Sequence, residues 1–228
     1  MSKNHLKRIF APKTWNIHRK KTTFITRPRP GGLVMAFCTP LSVILIEQLN
    51  IFKTRKELKY ALSNKEVLVN QKPVFETRFS VGLLDVISIP KLNKFFRLIV
   101  DTKNKLIPLS ITPKQATCRI CKIVNKTTLS KKKNQITTME GRTFLVDKDE
   151  YKIGDSVLYE FDKKKTTHHI KCEKGQTAYV FKGRHTGKVI QVDDIKDNKI
   201  LFKEGKETHE TGKRFIIIIG KEVPELQK

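Results

Sequence analysis

The chain has 228 residues, of which 47 are lysine or arginine and 22 are aspartate or glutamate, so its formal net charge at pH 7 is +25. Hydrophobic residues make up 38% of the sequence, which is enough for two or three small domains with modest cores. Charge repulsion on this scale requires a polyanionic partner. A membrane is excluded, because the longest apolar stretch, Leu33 to Ile46, carries polar and proline interruptions and is too short to span roughly 30 Å of hydrocarbon.

Residues 1–37 form a strongly basic segment that we expect to be an extended arm. No acidic residue precedes Glu47, and lysines and arginines alternate with aromatic residues and prolines. Such a segment is not expected to bury itself; it would lie along phosphates, insert an aromatic ring or a guanidinium between unpaired bases, and order only when bound. A disordered basic tail or a nuclear-import signal is the alternative. The segment has no apolar signal sequence, which together with four scattered cysteines predicts a reducing, intracellular location.

The next stretch predicts two short helices followed by a hairpin. Thr39 is a suitable N-cap and Pro40 suits the first helical position, so we expect a helix to begin there. Thr54 and Glu57 have the spacing of a capping box, which predicts a second helix. After that helix, Asn70 and Gln71 are suitable residues for a two-residue turn, and Pro73 confines the returning strand to a sheet edge.

The second predicted helix carries a basic ridge, and residues Lys53 to Val74 resemble a known RNA-binding module. The order K-T-R-x-E-L-K-Y-A-L, then E-V-x-V-N-x-K-P-V, is similar to the small module shared by bacterial-type ribosomal proteins, some tRNA synthetases and pseudouridine synthases. In that module the second helix and the hairpin grip folded RNA. A solvated basic face of an ordinary small core is the alternative. The resemblance implies RNA contacts by Lys53, Arg55, Lys56, Lys59 and Lys72.

From Phe79 onward the pattern favours β-structure. Two apolar strands flank the segment Pro90 to Lys94, and a polar turn leads into Leu106 to Ile111. Four further short strands, separated by polar turns such as Lys152 to Asp155, suggest a small barrel.

Residues Gly175 to Val192 resemble a KOW motif, a strand-loop-strand element found in several ribosomal proteins and transcription elongation factors. Two strands are predicted around the glycine-bounded turn Gly183 to Gly187. Any tight barrel turn can use two glycines, so an ordinary turn is the alternative. The resemblance implies that Arg184, His185 and Lys188 face RNA.

Catalytic and metal chemistry find little support. Cys118 and Cys121 form a lone C-x-x-C, but an odd separation puts the two thiols on opposite faces of a strand, and no second closely spaced ligand pair follows. The turn from Gly183 lacks the spacing and the magnesium-binding hydroxyl of a phosphate loop. No cofactor, metal site or small-molecule substrate is predicted.

Matches along most of the chain resemble the 4e family of small-subunit ribosomal proteins, found in archaea and eukaryotes. They are H-L-K-R at His5 to Arg8, A-P-K-x-W at Ala11 to Trp15, and the runs Leu58 to Leu62, Gly82 to Ile89, Phe96 to Thr102 and Ile111 to Pro113. The resemblance implies a structural role in the small subunit, with small-subunit rRNA and neighbouring ribosomal proteins as partners. The predicted RNA-binding residues of the arm are His5, Lys7, Arg8, Lys13, Trp15, Arg19, Lys20 and Lys21.

The combined prediction is an α+β, multi-module protein: a basic arm (1–37), a helix-helix-hairpin RNA-binding module (38–104), a central β-rich domain (105–172), a small KOW-type β-barrel (173–220) and a tail (221–228). We expect a non-enzymatic component of cytoplasmic ribosomes, with passage through the nucleus and nucleolus if the source is eukaryotic. Two rival functions remain open at this point, an RNA-modifying enzyme subunit and a KOW-type transcription or translation factor.

Overall fold

The computed structural model describes residues 5–129, 133–146, 150–163, 165–196, 198–205 and 207–220. It divides into two compact units, Met1–Thr117 and Cys118–Lys228. Strands dominate both units and helices are few, so the fold is mostly β rather than an even mixture of helix and strand. The predicted tail, 221–228, lies outside the described residues.

The first unit is built on a five-stranded antiparallel sheet with strand order β5-β4-β7-β8-β9, and two further strand pairs, β1-β2 and β3-β6, accompany it. Its strands are β1 (Leu6–Lys7), β2 (Phe24–Ile25), β3 (Cys38–Pro40), β4 (Leu68–Val69), β5 (Lys72–Pro73), β6 (Ser80–Gly82), β7 (Val86–Ile89), β8 (Lys94–Val100) and β9 (Leu106–Ser110).

The first predicted helix begins later than its cap signal indicates. Thr39 and Pro40 belong to β3, where Thr39 pairs with Val81 of β6, so the backbone is extended at the predicted N-cap. Helical turns follow from Leu41, and residues Val43–Gln48 form a π-helix. Pairing with a distant strand therefore overrides the local Thr-Pro signal, while Leu41, Ile44 and Leu45 of the helical turns are buried.

The second helix, α1 (Arg55–Ser63), follows its sequence signal closely. Thr54 is the N-cap, and the reciprocal capping box with Glu57 is present. Leu58, Ala61 and Leu62 are buried and form the inner face of this helix.

The strands predicted after Phe79 are confirmed as β7, β8 and β9, and the domain boundary predicted after residue 104 lies between β8 and β9. β8 pairs with β9 from Phe96↔Ser110 to Val100↔Leu106, so that boundary falls inside a β-hairpin. The unit continues through a 3₁₀ turn, Gln115–Thr117.

The N-terminal arm is folded onto the first unit, contrary to the expectation that it orders only when bound. Strands β1 and β2 pair as Leu6↔Ile25 and Lys7↔Phe24. Trp15 is 0% exposed, and its indole N–H donates to the carbonyl oxygens of Cys38 at 2.8 Å and Met35 at 3.2 Å. One large aromatic ring with a satisfied polar atom therefore helps to anchor this strongly basic segment.

Among the residues of the second unit that the structure describes, the regular elements are strands and a 3₁₀ turn at Lys213–Phe215. Its sheets have the orders β12-β11-β10-β13-β14, β16-β15-β20 and β17-β18-β19, and every pairing is antiparallel. Its strands are β10 (Cys118–Thr128), β11 (Asn134–Thr138), β12 (Thr143–Val146), β13 (Ser156–Glu160), β14 (Lys165–Ile170), β15 (Thr177–Val180), β16 (Val189–Gln191), β17 (Asp194–Lys196), β18 (Lys199–Glu204), β19 (Glu207–Gly212) and β20 (Ile216–Ile218).

The predicted turn Lys152 to Asp155 is present. Asp155 donates its amide to the Lys152 carbonyl at 3.2 Å, its carboxylate accepts the Lys152 amide at 3.0 Å, and Gly154 has φ +100°. The predicted boundary after residue 172 lies between β14 and β15, inside this one compact unit.

A buried lysine joins two sheets of the second unit. The ammonium of Lys122, on β10, donates to the backbone carbonyl oxygens of Lys213 at 2.8 Å and Ile216 at 2.7 Å. Burial lowers the pKa of this ammonium to about 8, with Lys213 also lowering it and the nearby Cys172 thiol opposing the shift. The contact therefore fixes β10 against β20 at an electrostatic cost.

Fluorescence should show that the arm is folded without RNA. Because Trp15 is the single tryptophan and is fully buried, we expect blue-shifted emission from the free protein and a red shift on unfolding in urea. A Trp15→Ala variant should lose about 3–5 kcal/mol of unfolding free energy. Lys13→Ala, which changes an exposed residue of the same arm, should stay within about 0.5 kcal/mol of the wild type. Red-shifted emission from the native protein would contradict a folded arm.

The buried lysine should make stability depend on pH. Between pH 8 and the ordinary lysine value of 10.5, the unfolded chain keeps a proton that the folded chain releases, so stability rises with pH. We expect the unfolding free energy of the wild type, minus that of Lys122→Met, to increase by about 2 kcal/mol over this range, measured by urea denaturation. Lys152→Met, at an exposed lysine, is the control for loss of one charge. A difference that stays constant with pH would contradict the assignment.

Candidate nucleic-acid interface

The solvent face of α1 carries a basic ridge. Leu58, Ala61 and Leu62 fix the inner face of this helix, which leaves four cations on the outside. The ridge consists of Lys53, Arg55, Lys56 and Lys59, all exposed.

The one acidic residue beside the ridge does not neutralise it. The Glu57 carboxylate accepts the backbone amides of Lys53 at 2.9 Å and Thr54 at 3.4 Å, as the N-terminal cap of the helix. Arg55 donates to the Thr26 hydroxyl at 2.7 Å. Among the residues that the structure describes, none of the four ridge cations forms an ion pair, so their charge is available to an external anion.

Lys72 extends the basic surface of the first unit onto the β4-β5 hairpin. Asn70 and Gln71 have φ values of 51° and 61°, as a two-residue hairpin turn requires, and Leu68 pairs with Pro73. β5 is the edge strand of its sheet, which confirms the position predicted for Pro73. Lys72 opens this strand and is exposed.

A buried amide holds the hairpin in place. Asn70 is buried and donates its side-chain amide to the Asp85 carboxylate at 2.5 Å, while its side-chain oxygen accepts the Val86 amide at 3.0 Å. The other Asp85 oxygen accepts the Gly82 amide at 2.5 Å. The turn that presents Lys72 is thus tied to the centre of the sheet rather than free to move.

The predicted residues of the arm separate into an exposed group and an internal group. The exposed side chains are His5, Lys7, Lys13, Lys20 and Lys21.

Arg8 belongs to the interior. It is 4% exposed and forms a two-pronged ion pair with the Glu47 carboxylate, at 2.7 Å and 3.0 Å. It also donates to the Thr22 hydroxyl at 3.0 Å and the His18 carbonyl at 3.3 Å. These contacts join the start of the arm to its middle and to the first helical segment, so the predicted RNA contact by Arg8 is replaced by a contact within the fold.

Arg19 and Trp15 also act within the fold. Arg19 donates to the carbonyl oxygens of Ile9 and Ala11, each at 3.0 Å, and of Pro12 at 2.9 Å. A guanidinium has several donors in a fixed plane, so one side chain satisfies a whole turn of the arm. Trp15 is fully buried and cannot stack on a base in this conformation.

The glycine turn of the second unit is tightly hydrogen-bonded. Gly183 and Gly187 have φ values of 106° and 82°, and the Thr186 hydroxyl donates to the Gly183 carbonyl at 2.6 Å. The Gly187 amide donates to the Val180 carbonyl at 2.7 Å, which closes the turn onto β15. Glycine is required at both positions because larger residues rarely adopt these dihedral angles. Arg184, at the tip, is exposed.

His185 and Lys188 are more constrained than Arg184. The His185 ring packs edge-on against Phe202, with centroids 5.1 Å apart, and lies 4.8 Å from the His209 ring. Burial, and then the neighbouring His209, lower the pKa of His185. Lys188 pairs with the Glu204 carboxylate. Arg184 is therefore the predicted residue of this turn that is most available to a partner.

Neither Phe24 nor Arg78 is among the predicted RNA-binding residues, although Phe24 is one of the aromatic residues that alternate with basic ones in the arm. The fold brings both beside Arg55. Phe24 is exposed on the short β1-β2 pair. Arg78 comes after the β4-β5 hairpin and is distant from Phe24 in sequence. No sequence signal could have joined them, because only the tertiary structure places the arm next to α1.

Within the described residues, no group of three or more histidine, cysteine, aspartate or glutamate side chains is arranged to hold a metal ion. In the same part of the chain, no helix is long and apolar enough to cross a membrane.

Two protein-family models match the chain. The one described as ribosomal family S4e matches residues 92–166, and the one described as the RS4NT (NUC023) domain matches residues 2–32.

Individual proteins match over nearly the whole chain. The chain is 35% identical over 229 residues to the small ribosomal subunit protein eS4 of Methanosphaera stadtmanae, covering 98% of this chain and 95% of that protein. It is 34% identical to the protein of the same name from Nanoarchaeum equitans, covering 85% and 82%. The crystal structure of the 30S ribosomal protein S4e from Thermoplasma acidophilum superimposes with a TM-score of 0.71 at 26% identity, covering 81% of this chain and 96% of that one.

Removing the Asn70 side chain should loosen the hairpin. We expect Asn70→Ala to lower the unfolding free energy by about 1–3 kcal/mol more than Asn93→Ala does, because only the first leaves buried groups without a hydrogen bond. Asn93 is the matched control, since it is exposed and has a similar φ of 50°. Both values come from urea denaturation followed by circular dichroism. Equal losses in the two variants would show that the buried amide does not hold the turn.

Proposed function

The chain belongs to the S4e family of ribosomal proteins, and from this membership we propose that it is a structural constituent of the small ribosomal subunit that binds small-subunit ribosomal RNA. The observation that carries the RNA-binding part is the unpaired basic ridge of α1. Three cations of a capped helix, and Lys53 just before its N-cap, are exposed, and their acidic neighbour is occupied by backbone amides. A surface of this kind gains most from a dense array of phosphates.

Binding would proceed by phosphate neutralisation. Each lysine or arginine that contacts a phosphate releases condensed counterions, so the gain is entropic and falls with salt. The A-form major groove is too narrow for side chains, which means that shape and phosphate spacing are recognised more than base sequence. The proposed RNA-binding residues of the first unit are Lys53, Arg55, Lys56, Lys59 and Lys72, with His5, Lys7, Lys13, Lys20 and Lys21 from the arm.

We also propose the finer modular assignments. The π-helix, α1 and the β4-β5 hairpin would act together as the helix-helix-hairpin RNA-binding module. The turn from Gly183 to Gly187 would act as a KOW-type element, with Arg184 as its principal RNA contact and His185 and Lys188 in supporting positions. The tight closure of this turn and the exposure of Arg184 support the second assignment.

The protein would have no catalytic activity of its own and would act in cytoplasmic ribosomes beside other small-subunit proteins. Its relatives named above are archaeal, so passage through a nucleolus is not part of the proposal. Stable association distinguishes this function from that of a translation or transcription factor, which would bind transiently. We expect the chain to be present in stoichiometric amount in small subunits washed in high salt and separated on sucrose gradients; its absence there would refute the proposal.

Charge reversal on the ridge should impair assembly without unfolding the protein. We expect Lys56→Glu with Lys59→Glu to reduce incorporation into small subunits at least tenfold, because two phosphate contacts become repulsive. In binding to the isolated RNA, the slope of log affinity against log salt should become shallower by about two.

The matched control is Lys103→Glu with Lys114→Glu, which makes the same change of charge at exposed positions outside the proposed surface. Both double variants should unfold within about 1 kcal/mol of the wild type. If both reduce incorporation equally, net charge rather than the α1 ridge is responsible.

A further inference from the structure

A cleft of about 270 Å³ opens on the first unit where the arm meets α1. Three separate segments build it: the β1-β2 pair, the first turn of α1, and the residues just before β6. Its wall includes His5, Phe24, Arg27, Arg55, Thr77 and Arg78.

One wall of the cleft is aromatic. Phe24 is 51% exposed even though it lies in a strand, because the neighbouring Ile25 takes the buried position. The His5 ring stands against it in an edge-to-face arrangement, with centroids 5.6 Å apart and an angle of 61° between the planes. The register Lys7↔Phe24 holds the two rings side by side. An exposed aromatic face supported in this way is a stacking surface for an unpaired base.

Another part of the cleft lining is cationic. Arg55 donates to the Thr26 hydroxyl at 2.7 Å, and Arg78 donates through Nε to the Arg27 carbonyl at 3.1 Å. Each of these bonds orients a guanidinium while using only part of its five donors. No acidic side chain is among the described residues that line the cleft. The nearby Glu76 carboxylate is paired with Arg29 at 2.6 Å.

From these aromatic and cationic residues we propose that the cleft binds one unpaired nucleotide of the RNA. Its base would stack on Phe24, and Arg55 and Arg78 would hold its phosphate. The volume of the cleft agrees with an occupant as small as one nucleotide, since it lies just below the roughly 300 Å³ at which pockets for larger ligands begin. A base within a perfect duplex is stacked on its neighbours and cannot enter. The inference rests on the proposed function and adds to it a preference for RNA that contains a bulged or looped-out nucleotide.

The test compares two RNA duplexes that are identical except for one bulged uridine. By fluorescence anisotropy, the full-length wild-type protein should bind the bulged RNA more tightly than the perfect duplex. Stacking on an aromatic side chain contributes about 1–3 kcal/mol per base, so the preference should be roughly 5- to 150-fold. Phe24→Leu should abolish this preference and leave binding to the perfect duplex unchanged, whereas Phe24→Tyr, which keeps the ring, should retain it.

Phe10→Ala is the matched control, because Phe10 is an exposed aromatic residue of the same arm that does not line the cleft, and the preference should survive this change. The proposal is overturned if the wild type binds both RNAs equally or if Phe24→Leu keeps the preference. It is also overturned if uridine monophosphate displaces the bulged RNA at concentrations near its dissociation constant for the RNA, which would indicate a site for free nucleotides. Failure of the wild type to bind the perfect duplex would instead count against the proposed phosphate-binding function. The failure of this inference and the failure of the proposed function are therefore distinguishable.

Discussion

The structure depends on how a small number of acidic side chains is distributed among many basic ones. Several carboxylates are used inside the fold: Glu57 caps α1, Glu47 pairs with buried Arg8, and Asp85 accepts the Asn70 and Gly82 amides. Asp155 is bonded to His169 and to the amides of Lys152 and Cys172. Because these acids stabilise turns and caps, they are not available to neutralise surface lysines. The net excess of 25 positive charges, which the composition fixes, is thus concentrated on the surface that a partner can meet.

Two arginines of the basic arm act within the fold, whereas Arg27, Arg29 and the described lysines of the arm are exposed. Arg8 and Arg19 lie within the fold, where planar guanidinium groups satisfy several carbonyl and carboxylate oxygens at once. Lys13, Lys20 and Lys21 remain in solvent, because removing a compact, strongly hydrated ammonium from water costs free energy. A segment that composition alone describes as uniformly basic thus contains an internal scaffold and a separate exposed set of charges. The exposed set is the one that can meet phosphates.

Local signals were predictive where the interacting residues are close in sequence. The capping box of Thr54 and Glu57, the turn at Asn70 and Gln71, and the edge position of Pro73 all follow from contacts within a few residues, and the structure contains each of them. The cap signal at Thr39 failed because a strand some forty residues away, containing Val81, pairs with it and holds the backbone extended. Burial of Trp15 was not predictable for the same reason, since its partners Met35 and Cys38 lie 20 and 23 residues further along the chain.

The amino-acid sequence by itself determined the charge excess, the family, the order of most strands and the existence of a basic ridge on α1, because these depend on composition, periodicity and neighbouring residues. Only the tertiary structure decided which cations are exposed and which are internal, because that depends on contacts between distant segments. It also decided that Phe24, Arg55 and Arg78, which are widely separated along the chain, line one cleft. Their juxtaposition follows from the docking of the arm, which is held by a buried tryptophan and a buried ion pair.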